Sequence, residues 1–263
     1  MAHVKRVANS SSMSIEYSIE VEHLTKKFRV VHRESSLKSA ALGRLRLRRP
    51  RVEEFTALSD ISFLVPKGQT IGVIGSNGSG KSTLLALLTR IYNPTAGRIQ
   101  VRGRVAAMLE LGAGFHPEFT GVENILLNGA ILGIPRSEME AQLPDIIEFA
   151  DIGDFVDTKV KHYSSGMLTR LGFSVAAHSN PDVMLIDEVL AVGDANFRQK
   201  CYARLDKFKT HGVTILVVSH NADDIRRVCD RVLWLDNHIV KADGTVEDVM
   251  VQYSALNDTA TVP

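Results

Sequence analysis

Residues Gly75-Ser76-Asn77-Gly78-Ser79-Gly80-Lys81-Ser82-Thr83 combine spaced glycines with a lysine and two consecutive hydroxyls. The spacing matches G-x-x-x-x-G-K-[ST], and each residue type has a task in gripping phosphate. Glycines let successive backbone N–H groups turn toward anionic oxygens without a Cβ in the way. The N-terminus of a following helix adds partial positive charge. Lys81 is a compact cation that can reach β- and γ-phosphates. The Ser82 hydroxyl suits a Mg2+ ion shared with those phosphates. A glycine turn could match by accident. Here, however, an apolar strand pattern at 70–74 runs into the loop, and 82–91 carries helical leucine spacing.

A second cluster follows about a hundred residues later. Val183-Met184-Leu185-Ile186 is an apolar run that ends in Asp187 and Glu188. Asp187 is placed to hold Mg2+, most simply through water. Glu188 is then free to act as general base toward an attacking water. Helix starts also collect acids, which is the plainer use of such a pair. His220 follows another apolar run ending at Val218. A polar residue there faces the ligand crevice of an open α/β sheet, although histidines also serve as structural residues.

These residues need a scaffold. The runs 183–186 and 213–218 are nearly all apolar, as in parallel strands covered on both faces. Residues 15–24 alternate as in a half-buried strand, 55–65 reads as another, and 232–235 with 239–240 reads as a hairpin around Asp236-Asn237-His238. Residues 112–180 read mainly as helical. Strands alternating with helices give an α/β class with a helical insertion. Residues 1–14 read as a loose arm. Residues 26–51 hold ten Lys or Arg against one acid, Glu34. Within 29–51, Leu37, Ala41 and Leu45 fall at helical spacing, giving a basic amphipathic insertion or a solvated loop.

Composition narrows the class further. Lys and Arg number 31 against 30 acids, which argues against bulk nucleic-acid binding. Two cysteines, Cys201 and Cys229, are too few for a disulfide framework and read as reduced thiols. The apolar runs are strand-sized, well short of the roughly 20 residues of a membrane-spanning helix. A role at a membrane would need another chain to do the spanning.

Tyr163-Ser164-Ser165-Gly166-Met167 lies about twenty residues before the acidic strand. It resembles the Leu-Ser-Gly-Gly-Gln signature of the nucleotide-binding subunits of ABC transporters, departing at Tyr163, Ser165 and Met167. Taken alone, Ser-Ser-Gly would be a helix cap. The resemblance covers roughly 18–250. It implies a P-loop NTPase (RecA-like) core with a mainly parallel sheet, an antiparallel β subdomain and a helical insertion at about 112–180. The ATPase domain would span 15–253, with 254–263 as a tail. In that family the signature acts in trans, so Ser164, Ser165 and Gly166 would cover ATP held by a second copy in a head-to-tail dimer. His220 matches the switch histidine, and Asp194 in Ala191-Val192-Gly193-Asp194 matches the loop crossing the dimer interface. Phe28 matches the aromatic that stacks on adenine, with Phe55 as its rival. The family's Mg2+-sensing glutamine is missing, and Glu110 is the nearest substitute.

The stretch 110–125, with the signature and Leu190-Ala191-Val192-Gly193-Asp194, resembles one subgroup: the ATPases that export O-antigen, teichoic acid, capsule, galactan or related lipid-linked polysaccharides. That implies ATP and Mg2+, a polytopic permease, a peripheral position on the cytoplasmic face of the membrane, and a lipid-linked glycan near 29–51. Arg44, Arg46, Arg48 and Arg49 would approach headgroups or pyrophosphate, each worth roughly 1 kcal/mol near an anionic leaflet. The chain's end at Pro263 leads us to expect no C-terminal carbohydrate-binding domain. The alternatives are an ABC ATPase of another transporter class, a non-transport ABC ATPase, and a P-loop kinase or GTPase.

Overall fold

The computed structural model describes residues 15–32, 51–109, 114–188 and 193–259. Its main sheet has six strands in the order β5-β6-β7-β3-β8-β9. These are β3 (Thr70–Ile74), β5 (Val105–Met108), β6 (Val183–Asp187), β7 (Thr214–Val218), β8 (Arg231–Asp236) and β9 (Ile239–Thr245). The first five in that order run parallel, and β9 adds antiparallel to β8.

Strict alternation divides the core. Ile71, Val73, Val183, Leu185, Leu216, Val218, Leu233 and Leu235 face one side. There they meet Leu84, Leu85 and Leu88 of α1 (Lys81–Leu88) and the second sheet. Met184, Ile186, Ile215, Val217, Val232 and Trp234 face the other. They are covered by α4 (Ser165–Ala177), α5 (Ala195–Thr210), α6 (Ala222–Val228) and α7 (Val246–Thr259). Burial on both faces is why these strands read as unbroken apolar runs.

The second sheet is antiparallel, in the order β2-β1-β4, from β1 (Tyr17–His32), β2 (Arg51–Pro66) and β4 (Ala96–Val101). Both long strands run further than the apolar patterns at 15–24 and 55–65. Phe28 pairs with Phe55 and Arg29 with Glu54, so the start of the basic segment 29–51 is strand. Residues 33–50, with Arg44, Arg46, Arg48 and Arg49, lie outside the described residues, as do 1–14, 110–113, 189–192 with Leu190, Ala191 and Val192, and 260–263. Helix α7 continues to Thr259, so most of the expected tail is helical.

The region expected to be helical holds α2 (Gly121–Ile131), α3 (Arg136–Ala150), two short 3-10 turns and α4, built around Ile125, Met139, Ile146 and Leu171. Among the described residues no helix is long and apolar enough to cross a membrane.

Candidate nucleotide-binding and hydrolysis site

The glycine loop leaves the carboxyl end of β3 between two packed walls. Gly75 has φ 151°, and a Cβ there would sit on the carbonyl oxygen of Leu235. Gly80 has φ 108°, and its Cβ would lie 2.6 Å from the Ala57 carbonyl oxygen. The backbone can pass at both points only because no side chain is present. Ser76, Asn77 and Gly78 form the exposed rim, while Ser79 is buried. Among the described residues the Ser79 hydroxyl has no hydrogen-bond partner.

Lys81, 6% exposed, donates to the carbonyl oxygens of Gly75 at 2.9 Å and Ser76 at 3.0 Å. Its ammonium thus spans the loop. Ser82 is exposed and Thr83 half-buried in the first turn of α1. That turn contains no acid to compete for the helix N-terminus.

Strand register brings the acids to the same edge. Asp187 pairs with Val218, and Val218 with Val73, so β6, β7 and β3 end level. Glu188 follows with φ 53°, a left-handed conformation for a residue with a side chain, and its N–H donates to Val218 O at 2.9 Å. Such a conformation persists only where surrounding structure enforces it. It brings Glu188 Oε1 within 2.7 Å of His220 Nε2.

The charges sense one another. Burial pushes the Lys81 ammonium below the usual lysine range, opposed by Glu188 and Asp187. Burial, then Glu188, pushes the Asp187 carboxyl above its ordinary value, opposed by Lys81 and His220. Among the described residues no group of three or more His, Cys, Asp or Glu converges into a metal cage. A hydroxyl and one or two carboxylates beside a phosphate cradle are instead the donor set that suits Mg2+ shared with nucleotide phosphates. Ser82 and Asp187 supply that set. Glu110, the third candidate, lies outside the described residues.

Ser164 and Gly166 stand at a helix start. Ser164 caps α4, accepting from Met167 N at 3.2 Å, and Ser164 and Ser165 are exposed. Among the described residues a Cβ on Gly166 would meet only the Ser164 hydroxyl, at 3.8 Å, which leaves its backbone open to a ligand. Tyr163 is buried, and its hydroxyl donates to Phe155 O at 2.7 Å. The departure from leucine therefore anchors the signature to the first of the two 3-10 turns, Gly153–Asp157. No hydrogen bond or ion pair among the described residues joins Ser164–Gly166 to the phosphate loop of the same chain.

Asp194 is committed within the chain. It caps α5 by accepting from Phe197 N at 2.8 Å and pairs with Arg170 Nη2 at 2.6 Å. The amide bond, then Arg170, holds its carboxyl below the usual range. Arg170 escaped the sequence reading because its partner lies 24 residues away. Phe28 and Phe55 are cross-strand neighbours. Phe28 meets Tyr92 edge-on and has Lys26 Nζ 4.8 Å from its ring centre. Phe55 is half exposed and meets His238 edge-on, two residues before Ala57 at the loop.

A family model described as ABC transporter matches residues 58–191, half of the chain. The chain belongs to the ABC transporter family. That match holds the phosphate loop, the segment at 163–167 and the Asp187–Glu188 pair. An O-antigen export system ATP-binding protein, RfbB of Klebsiella pneumoniae, is 45% identical over 237 residues, covering 89% of this chain and 96% of that protein. The teichoic acids export ATP-binding protein TagH of Levilactobacillus brevis is 42% identical over 241 residues, covering 92% of this chain and 66% of its own. Among solved structures, the ATP binding subunit of an ABC transporter superposes with a TM-score of 0.71 at 24% identity, over 90% of this chain and 93% of that one. The ATP-binding cassette MJ0796, a dimer bound to ADP and Pi, superposes at 0.69 with 20% identity, over 87% and 98%. ABC cassettes thus share this chain's fold.

Proposed function

We propose that this chain is the ATP-hydrolysing motor subunit of an ABC exporter that moves a lipid-linked polysaccharide across the cytoplasmic membrane. The observation that carries the catalytic part is the convergence of Lys81, Asp187, Glu188 and His220 at the carboxyl edge of the parallel sheet. The likeness to O-antigen and teichoic acid export ATP-binding proteins, across most of the chain, supports the cargo class.

The loop amides and the α1 N-terminus receive the phosphates of ATP, and Lys81 shifts its ammonium from the loop carbonyls toward them. Phe28, with Phe55 beside it, offers a ring to the adenine. Ser82 and Asp187 would hold Mg2+, which would supply positive charge beside the phosphate oxygens. Glu188 takes a proton from the water that attacks the terminal phosphorus, while the bond from that phosphorus to the oxygen bridging to the β-phosphate breaks and ADP leaves with that oxygen. His220 orients the Glu188 carboxylate from its other side. Ser164, Ser165 and Gly166 of a second copy complete the site over the γ-phosphate, with Asp194 near the interface between copies. The helical subdomain passes closure to a polytopic permease, which places this chain at the cytoplasmic face of the membrane.

Purified chain should hydrolyse ATP with a rate per chain that rises with protein concentration, because each site needs a second copy. Lys81→Ala should lose ATP binding. A rate per chain that stays constant down to nanomolar concentrations would defeat the shared site. For the cargo, deletion of the gene should leave polysaccharide inside the cell, restored by the wild type and not by Glu188→Gln. Normal surface polysaccharide after deletion would exclude the export role.

A further inference from the structure

His220 is poorly fixed by packing, since its side chain is 44% exposed. Its neighbours tie it to α6. Asn221 N donates to Ser219 Oγ at 3.0 Å, and Asn221 Oδ1 caps α6 by accepting from Asp223 N at 2.8 Å. Helix α6 has seven residues, too few to be stable by itself. Any rotation of α6 about its axis carries Asn221 and His220 with it.

One buried polar contact opposes such rotation. Asp224 of α6 and Tyr202 of α5 are 6% and 7% exposed, and the Tyr202 hydroxyl donates to Asp224 Oδ1. The Arg227 guanidinium stands 4.4 Å from the centre of the Tyr202 ring. Burial, then Asp224, pushes the Tyr202 hydroxyl up to about 12, so it stays a donor at working pH. A buried carboxylate is costly, and an apolar side chain would fill this interface between Ile225 and Val228 more cheaply. What the pair adds over an apolar contact is direction: beside the Lys209 Nζ bond to Val228 O at 2.9 Å and the exposed Arg227–Asp206 ion pair at 3.8 Å, it is the tie between two buried side chains that fixes the turn of α6 relative to α5. Helix α5 is itself fixed at its start, where Asp194 pairs with Arg170 of the signature helix α4.

We propose that the Tyr202–Asp224 hydrogen bond sets the rotation of α6 and through it the position of His220 against Glu188, making Tyr202 a positioning residue for hydrolysis. It rests on the ATPase assignment of the site. A displacement of about 1 Å in a catalytic group costs up to about 100-fold in rate. Tyr202→Phe should therefore lower kcat about tenfold or more while KM for ATP stays within about twofold.

Tyr202→Phe also strands a buried carboxylate, so a second variant separates positioning from stability. Tyr202→Phe/Asp224→Leu replaces both partners with apolar groups, an exchange that is commonly neutral or stabilising. Thermal unfolding near the wild type together with a low kcat and unchanged KM supports the positioning role. Wild-type kcat in the folded double variant overturns it, as does failure of both variants to fold, which would mark the pair as a structural tie alone. Asp224→Asn keeps an acceptor for the Tyr202 hydroxyl and should hold kcat within about threefold. Amide hydrogen exchange at residues 222–225 gives a readout independent of turnover. It should quicken in the double variant, and unchanged protection there counts against the proposal. If the wild-type chain does not hydrolyse ATP, the functional assignment falls on that result, while the exchange comparison still decides whether the pair fixes α6.

Discussion

His220 Nε2 lies 2.7 Å from Glu188 Oε1. The base and its orienting partner meet through backbone placement alone: β6 and β7 end side by side, and Glu188 turns through a left-handed conformation to face His220. Glu188→Gln keeps the contact but removes the base. We expect a loss of about 100- to 10,000-fold in kcat with ATP affinity retained, so that an ATP-bound dimer accumulates and is visible by gel filtration. Wild-type turnover in that variant would remove Glu188 from its role.

Gly80→Ala tests the walls of the loop. Its φ of 108° and the Ala57 carbonyl oxygen 2.6 Å from the added carbon leave no unstrained place for a methyl group. We expect about 1–3 kcal/mol of destabilisation in urea titrations and at least about tenfold weaker ATP binding by fluorescence titration. Gly78→Ala meets no neighbour within 4 Å among the described residues and should cost only its backbone strain at φ 82°.

Asp187 reports the tension among the charges of the site. Its pKa is raised in the folded chain, so folding favours the protonated form and the ionised carboxylate at neutral pH works against stability. Asp187→Asn should therefore raise the unfolding midpoint of the nucleotide-free chain by about 1–3 °C at pH 7. The gain should shrink as pH falls and the wild-type carboxyl takes up its proton, while ATP hydrolysis is lost at every pH. A lower midpoint at pH 7 would contradict the sign.

Glu118 carries the opposite signature. Hydrogen bonds from Lys161 and Lys159, at 2.9 and 3.0 Å, hold its carboxyl down at about 2. A depressed folded pKa contributes stability that is fully present above the unfolded value of 4.5 and is lost as pH falls toward 2. Glu118→Gln should be less stable than wild type at pH 7, with the difference closing below pH 4 and narrowing in high salt, because the cluster is exposed. Parallel denaturant titrations at pH 7 and pH 3 measure it.

The buried parallel strands and the glycine loop were legible because their sequence signals are local: runs of Val, Ile and Leu, and a fixed spacing of Gly, Lys and Ser. Strands β4 and β5 were not. Residues 96–98 of β4 are exposed, and β5 has four residues, two of them alanine. Charged residues 29, 53 and 54 concealed the outer halves of β1 and β2, because that ribbon is exposed there and its strands carry no alternation. Asp194 was readable by resemblance as an interface residue, but its bond to Arg170 and its cap on α5 depend on how α4 and α5 pack. The Tyr202–Asp224 contact spans 22 residues and two helices, and nothing in either segment announces the other.

Lys81 already bridges the carbonyls of Gly75 and Ser76, so the loop stands preformed around its own cation. Arrival of a triphosphate is then a trade of acceptors for one ammonium rather than the ordering of a chain. The conformational entropy that a floppy loop would forfeit has been spent in folding. Nucleotide binding to a single copy should accordingly show a small heat-capacity change, and the large change should be reserved for the moment two copies close.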